Sequence, residues 1–333
     1  MMLDAAYRIN KIDVHALTAE EVQELYAADS RIVEKYGFLK RFRDAASYQD
    51  SFLSTFLEGD DALFALERNA LICGMLSFVK SADWNGTEQY KLTIRLCESR
   101  WDASLLECLE LFIDERLAQY GEIAVVTYNH ELEALIETYS RKVHLNAGAY
   151  TLQKDDVDID MLSQSIAAYQ AKNPDLHMIY ADVISEEYME QYCNLFMETA
   201  ADMPDEKEAG YVRYVITPEK RRELNAANIE EDFAHHCCMI FNADNEMIAQ
   251  SNVSVNNGDP RFPYQFLIGV RRQYRGRSLG KWLYAAMYQR LAEQVAFEKV
   301  LVHHHPENAA AIHVSKWVGY QFAYLEVTHL IRK

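Results

Sequence analysis

The chain has 333 residues, more than one ordinary domain of about 100–150 residues, so two domains are expected. Half of the residues are apolar and a quarter are charged, which excludes a disordered chain and leaves enough material for sizeable cores. A formal charge of −18 excludes a nucleic-acid binder that relies on a basic face, and charges interrupt every apolar run before the roughly 20 residues needed to cross a bilayer. The first residues lack a basic segment followed by an apolar one, so a cytoplasmic protein is expected, neither membrane-bound nor partnered by nucleic acid. The six cysteines have no framework spacing and are expected to be reduced. No metal site is expected. Neighbours within His235-His-Cys-Cys238 would point to opposite faces of a strand and could not close one tetrahedral site.

In chain order, a strand over 7–14 is followed by two apolar runs, 62–67 and 71–78, that form a hairpin turning at Arg68-Asn69-Ala70. Residues 89–96 read as the next strand, and 97–104 as a turn without glycine. A helix follows, with Leu105, Leu109, Ile113 and Leu117 at i+4. A strand over 122–127 leads to a polar helix start at Asn129. The acidic run 154–160 precedes a short helical stretch from Met161 to Lys172. Asn173-Pro174 breaks that stretch, because a residue before proline avoids helical dihedrals.

The order then repeats. A strand over 176–184 precedes a helix, the acidic loop 202–208, and a second helix opened by Thr217 as N-cap with Pro218 at its first position. Runs 238–241 and 247–253 form another hairpin, and Gln265 to Val270 another strand. Leu279, Leu283, Met287, Leu291 and Val295 mark a helix, Lys299 to His303 a strand, and Asn308 opens a last helix ending at Gly319-Tyr320. The spacing from Ser104 to Ala124 equals that from Gly280 to Val300.

The copies differ where strand meets helix. Residues 271–281, Arg-Arg-Gln-Tyr-Arg-Gly-Arg-Ser-Leu-Gly-Lys, put glycines and arginines at a helix start, whose unpaired N–H groups and positive dipole end suit a phosphate. The matching turn of the first copy carries Glu98 and Asp102, which would repel one.

The Arg275-x-x-Ser278-x-Gly280 turn after a strand resembles the coenzyme motif of the Gcn5-related N-acetyltransferase (GNAT) superfamily. The Asn308-led helix ending in Gly319-Tyr320 resembles that family's closing motif. The resemblance implies an α+β chain of two tandem GNAT domains, each a mixed, mainly antiparallel sheet flanked by helices. The expected division is a degenerate copy over 1–155, a linker over 156–175 and a coenzyme-binding domain over 176–333. Acetyl-CoA is the implied co-substrate, with the backbone of Ile268, Gly269 and Val270 on its pantetheine arm and Arg275, Gly276, Arg277, Ser278, Leu279, Gly280 and Lys281 on its pyrophosphate. Asn308 would lie near the arm.

The implied reaction is transfer of the acetyl group to the amine of a small molecule by direct attack, in a monomer or homodimer. Two departures from the family stand out: Ser278 replaces its middle glycine, and Ser315 replaces the tyrosine that protonates the leaving thiolate. His303, His304 and His305 are the candidate bases, because histidine titrates near neutral pH. Asp202, Asp205, Glu206, Asn252 and Ser254 are candidates for binding the acceptor. The alternative is a non-catalytic acyl-CoA sensor or scaffold. Transfer of a longer acyl group stays open.

Overall fold

The computed structural model describes residues 7–36, 42, 44–57, 61–82, 88–97, 102–128, 130–204, 215–230 and 232–332. Its chain forms two compact units, 1–147 with 323–333, and 148–322.

In the first unit β1 (Arg8–Lys11), α1 (Ala19–Tyr36), α2 (Ala45–Ser51), β2 (Ala62–Arg68), β3 (Leu71–Ala82) and β4 (Glu88–Leu96) are followed by α3 (Ala103–Tyr120), β5 (Glu122–Thr127) and α4 (His130–Ile136). The β2–β3 hairpin closes with only Asn69 and Ala70 between its strands, both at positive φ, which matches the twist of the strands it joins. The apolar i+4 stripe of α3, Leu105, Leu109, Ile113 and Leu117, packs on one sheet face with Phe64, Leu76 and Leu92. Val22, Leu25 and Ile32 of α1 cover the other face, over Leu63 and Met75. Asn129 and Glu98 lie outside the described residues.

The chain then runs through β6 (Ser140–Gln153) and α5 (Ile159–Lys172) into β7 (His177–Ala181), α6 (Glu186–Ala200), α7 (Pro218–Glu230), β8 (Phe233–Phe241), β9 (Met247–Asn256) and β10 (Tyr264–Val270). It ends with α8 (Leu279–Gln294), β11 (Lys299–His304), α9 (Ala309–Val318) and β12 (Gln321–Arg332). The Thr217 hydroxyl accepts from Lys220 N at 3.2 Å, the expected N-cap of α7. Leu162 of α5 joins the core of α8 with Leu283, Met287 and Leu291, while α6 contributes to a separate cluster on the opposite face around Cys237, Met239 and Met247.

Both units carry sheets that are mainly antiparallel, with one parallel pair each, β4 with β5 and β10 with β11. Strand order is β1-β2-β3-β4-β5-β12 in the first and β6-β11-β10-β9-β8-β7 in the second. The two orders match strand for strand, but the closing strands are exchanged. The C-terminal strand β12 pairs antiparallel with β5 from Val327↔Thr127 to Arg332↔Glu122. The end of β6 pairs with β11, from Lys299↔Gln153 to His304↔Gly148.

This differs from the expected division at 155 and 175. The boundary of each unit falls inside a strand, because a closing strand satisfies its backbone groups against whichever edge it lies on, wherever it sits in the chain. The expected linker 156–175 is likewise part of the second unit, since α5 buries Leu162 in its core. Deleting residues 323–333 should therefore raise hydrogen exchange at Glu122–Thr127 by at least about tenfold while leaving β9 protected. Hydrogen exchange read by mass spectrometry checks this, and equal loss of protection in both strands would contradict the assignment of β12 to the first unit.

Candidate functional site

Strand β10 pairs in parallel with β11 only where Tyr264 and Gln265 face Leu301 and Val302. Beyond that point it continues against β9 alone, with a bulge between Gln265 and Ile268, so the β11 side of its second half is left without a ladder partner among the described residues. Gly269 sits in this half. An added Cβ there would come within 2.5 Å of Thr199 Oγ1, so α6 lies against the strand as only glycine permits.

After Val270 the chain makes a single 3-10 turn, Arg272–Tyr274, and then enters left-handed space twice before α8. Gly276 has φ +82, and Ser278, the N-cap residue, has φ 61 and ψ 21. That is the conformation a glycine adopts without cost, which gives a physical reason for a glycine at this position and shows what serine tolerates here. The Ser278 side chain makes no cap bond, so among the described residues no side chain caps the first N–H groups of α8. Gly280 needs no unusual backbone; a Cβ there would meet Val314 no closer than 3.7 Å, and Ile268 at 3.9 Å. Leu279 is buried, and Lys281 lies over the Trp317 ring with Nζ 5.2 Å from its centroid.

The arginines of this loop are held by groups distant in sequence. Arg272 donates to Asp202 Oδ1, and Arg275 donates to Asp202 Oδ2 at 2.6 Å and, through Nε, to Val270 O at 2.9 Å. Arg271 Nε lies 3.5 Å from Glu198, whose carboxylate also accepts from Arg272 N at 3.2 Å. Arg277 donates to Asn173 Oδ1 at 2.8 Å and pairs with Asp175 at 3.5 Å. Asp202, expected to attract an amine, is thus committed to bracing the turn. Burial raises its pKa, and the hydrogen bonds from Arg272 and Arg275 outweigh that and hold it below its ordinary 3.8. Asp205 and Glu206 lie outside the described residues.

The first unit makes a different use of its matching helix start. Asp102 caps α3, its Oδ1 accepting from Leu105 N at 3.0 Å and from Ser104 Oγ at 2.8 Å. A carboxylate of the chain itself sits where α8 has none.

The candidate catalytic residues divide between the two faces of the second sheet. His304 is buried, and its Nε2 lies 2.7 Å from the Oγ of Ser315 in α9, with Tyr284 OH 3.4 Å further on. Burial, and then the neighbouring His303, draws the His304 pKa down to about 4, so the ring is neutral at pH 7. Beside this group Tyr288 OH bonds Gln265 Oε1 at 2.9 Å and Tyr320 OH at 2.6 Å, which extends the buried polar chain. His303 is half-buried, its Nδ1 3.2 Å from Tyr264 OH. His305 follows the strand, its Nδ1 accepting from Glu307 N at 3.2 Å.

Asn308 caps α9, accepting from Ala311 N at 3.2 Å, and Gly319 closes that helix at φ 113, both as the sequence implies. Asn252 accepts from Cys237 Sγ at 2.8 Å, and half-buried Ser254 pairs with His235 on β8 and with Tyr264 on β10. No group of three His, Cys, Asp or Glu side chains able to hold a metal occurs among the described residues. No described helix is long and apolar enough to cross a membrane.

Residues 189–320 match the family model for the acetyltransferase (GNAT) family. Among solved structures, a tandem GNAT protein from the clavulanic acid biosynthesis pathway aligns over 98% of both chains at 13% identity and TM-score 0.54. Residues 189–320 carry a GNAT-family domain, and the chain as a whole has the fold of a tandem GNAT protein. A GCN5-related N-acetyltransferase from Sphaerobacter thermophilus aligns over 98% of this chain and 95% of its own at 10% identity and TM-score 0.58. A GCN5-related glucosamine N-acetyltransferase region of a fungal multi-domain GH3 β-N-acetylglucosaminidase aligns over 98% of this chain and 38% of that one, at 11% identity and TM-score 0.55. None of the curated proteins matches the sequence significantly. The GNAT fold supports acyl transfer in general and generally binds acetyl-CoA.

Sequence reasoning missed the braces of the GNAT turn, because Glu198, Asp202 and Asn173 are fixed only by the fold. It also missed Thr199 and Tyr264, which carry no motif. Two tests follow from the turn. Ser278→Gly should stabilise the protein by roughly 0.5–1 kcal/mol, the relief of a left-handed serine less the extra chain entropy of glycine, and calorimetric unfolding reads it. Because the folded-state pKa of Asp202 is depressed, its stabilisation is complete above the ordinary carboxyl value and is lost as pH falls through the lower folded one. Asp202→Asn should therefore cost about 1–3 kcal/mol at pH 7, with the difference from wild type shrinking below about pH 3.8.

Proposed function

We propose that the protein moves an acetyl group from acetyl-CoA to the amine of a small molecule, with the coenzyme bound in the second unit only. The observation that carries this reading is the contrast between two equivalent helix starts. On α3 the N-terminal N–H groups already have a carboxylate, Asp102, whereas α8 follows a left-handed turn at Gly276 and Ser278 and has no side-chain cap. A pyrophosphate would supply the missing acceptors and a matching charge. The second half of β10, free of β11 from Phe266 on, offers backbone groups of Ile268 to Val270 to the pantetheine amides, and an N–H there could polarise the thioester carbonyl.

In the reaction the amine nitrogen attacks the thioester carbon, a C–N bond forms, and the C–S bond breaks. The amine proton passes to a base and the thiolate takes up a proton. We assign the base to His303, which is half-buried beside Tyr264, rather than to His304, whose ring is committed to Ser315. A localisation in the cytoplasm and a monomeric or dimeric state fit this reading.

A second reading, a non-catalytic acyl-CoA sensor, is favoured by one observation. Ser315, which occupies the thiolate-protonating position of the family, is fully buried and bonded to His304 and Tyr284. Calorimetry with acetyl-CoA, combined with thiol release against a panel of amines, separates the two. Binding with release in the presence of some amine supports the transferase, and binding without release from any amine supports the sensor. Gly276→Val, which puts a β-branched residue at positive φ, should weaken acetyl-CoA binding by at least about tenfold. His303→Ala should slow thiol release about 100-fold with acetyl-CoA binding unchanged, whereas His304→Ala should largely keep the rate and lower stability.

A further inference from the structure

The face of the second sheet opposite α8 holds a buried cation that has no acidic partner among the described residues. Arg221 of α7 is 6% exposed, and among the described residues it has no acidic partner. Its Nε donates to Asn225 Oδ1 at 2.8 Å and its Cζ lies 5.9 Å from the centre of the Tyr192 ring, while one terminal nitrogen has no hydrogen-bond partner. A guanidinium has five donors and no acceptor, cannot neutralise itself by losing a proton, and is costly to bury uncompensated.

Two further buried groups next to it each keep one nitrogen without a partner, although the Asn252 side chain lies close enough to act on the His235 ring as a hydrogen-bond partner. His235 on β8 is 6% exposed and Asn252 on β9 is 1% exposed, and neither His235 Nε2 nor Asn252 Nδ2 has a partner. The three groups converge. Burial first, and then the charge of Arg221, draws the His235 pKa down to about 3, and Arg221 also acts on Cys237, whose thiol donates to Asn252 at 2.8 Å. Buried polar groups of native proteins are nearly always paired, so two unpaired nitrogens beside a cation without an acidic partner among the described residues call for a partner that is not part of the fold.

We infer that Arg221, His235 and Asn252 form the binding site for the carboxylate of an amino-carboxylate acceptor. The inference rests on the transferase reading for the role of the ligand and deepens it by naming the acceptor class. The planar fork of Arg221 matches a carboxylate, and His235 and Asn252 supply the neutral hydrogen bonds beside it. One cation suits a monoanion better than a phosphate dianion. From His235 a row of rings leads along the same face to the proposed base: Phe266 with centroid 6.3 Å away, Tyr264 at 4.8 Å from Phe266, and His303 at 5.8 Å from Tyr264. A molecule anchored by its carboxylate at Arg221 would direct its other end along that row.

The test uses the full chain and matched pairs: glycine with methylamine, phenylalanine with phenethylamine, and lysine with cadaverine, with inorganic phosphate as a competitor. Calorimetry should show at least one amino carboxylate binding about tenfold or more tighter than its decarboxylated partner, with no competition from phosphate. Arg221→Met should weaken that binding about 100-fold. Asn225→Asp keeps the arginine and places a carboxylate within 2.8 Å of its Nε, so it should abolish ligand binding while leaving the protein folded and at least as heat-stable.

Equal affinity for both members of every pair, no binding of any amino carboxylate, or unchanged affinity in Asn225→Asp would overturn the proposal. Thiol release from acetyl-CoA keeps the two readings apart. Carboxylate-dependent binding without release sinks the transferase and leaves this site standing. Equal release by amines and amino carboxylates does the reverse.

Discussion

Between Val270 and Leu279 the chain must turn from a strand edge into a helix, and it does so through left-handed backbone at Gly276 and Ser278. Once that turn is made, the first N–H groups of α8 face out of the loop without a side chain to cap them. The turn is not held by its own residues. Asp202 and Glu198 at the end of α6 engage three of its arginines, and Asn173, just after α5, engages the fourth. Positioning of this helix start is therefore a property of the whole second unit, and it depends on carboxylates that look like a solvated acidic surface in the sequence.

The sheet of this unit separates two chemistries. On the α8 side His304, Ser315 and Tyr284 form a buried, neutral chain that is committed to packing and hydrogen bonding. On the opposite side lie Tyr264, Phe266 and His303, together with His235, Asn252 and Arg221, several of which carry unsatisfied hydrogen-bonding capacity. In the proposed account the coenzyme enters from the first side at the end of β10, the acceptor lies on the second, and the gap in β10–β11 pairing joins them. The first unit keeps the same strand order without this division of labour, because Asp102 fills the helix start that would receive an anion.

Much of this architecture was legible in the sequence, and the reason is locality. The i+4 stripes of α3 and α8, the two-residue turn at Asn69-Ala70, the Thr217 and Asn308 caps and the Gly319 stop each rest on contacts between near neighbours. What was not legible depends on contacts between distant residues. Nothing in residues 323–332 says that they close the sheet of the first unit, since the same β-branched alternation would suit either edge. The stretch 156–175 has the polarity of a linker, yet α5 packs Leu162 into the core and presents Asn173 to Arg277. Asp202 was visible as a carboxylate but not as the partner of Arg272 and Arg275, and Arg221 carried no signal at all, because an arginine on a polar helix is ordinarily exposed.

The central claim is that one helix start of the pair, that of α8, receives the coenzyme. Hydrogen exchange of the full chain with and without saturating acetyl-CoA tests it most directly. The account predicts new protection at Ile268–Val270 and over 276–281, with no change over 102–106 at the start of α3. Protection at the start of α3, or none over 276–281 while acetyl-CoA is bound, would contradict it.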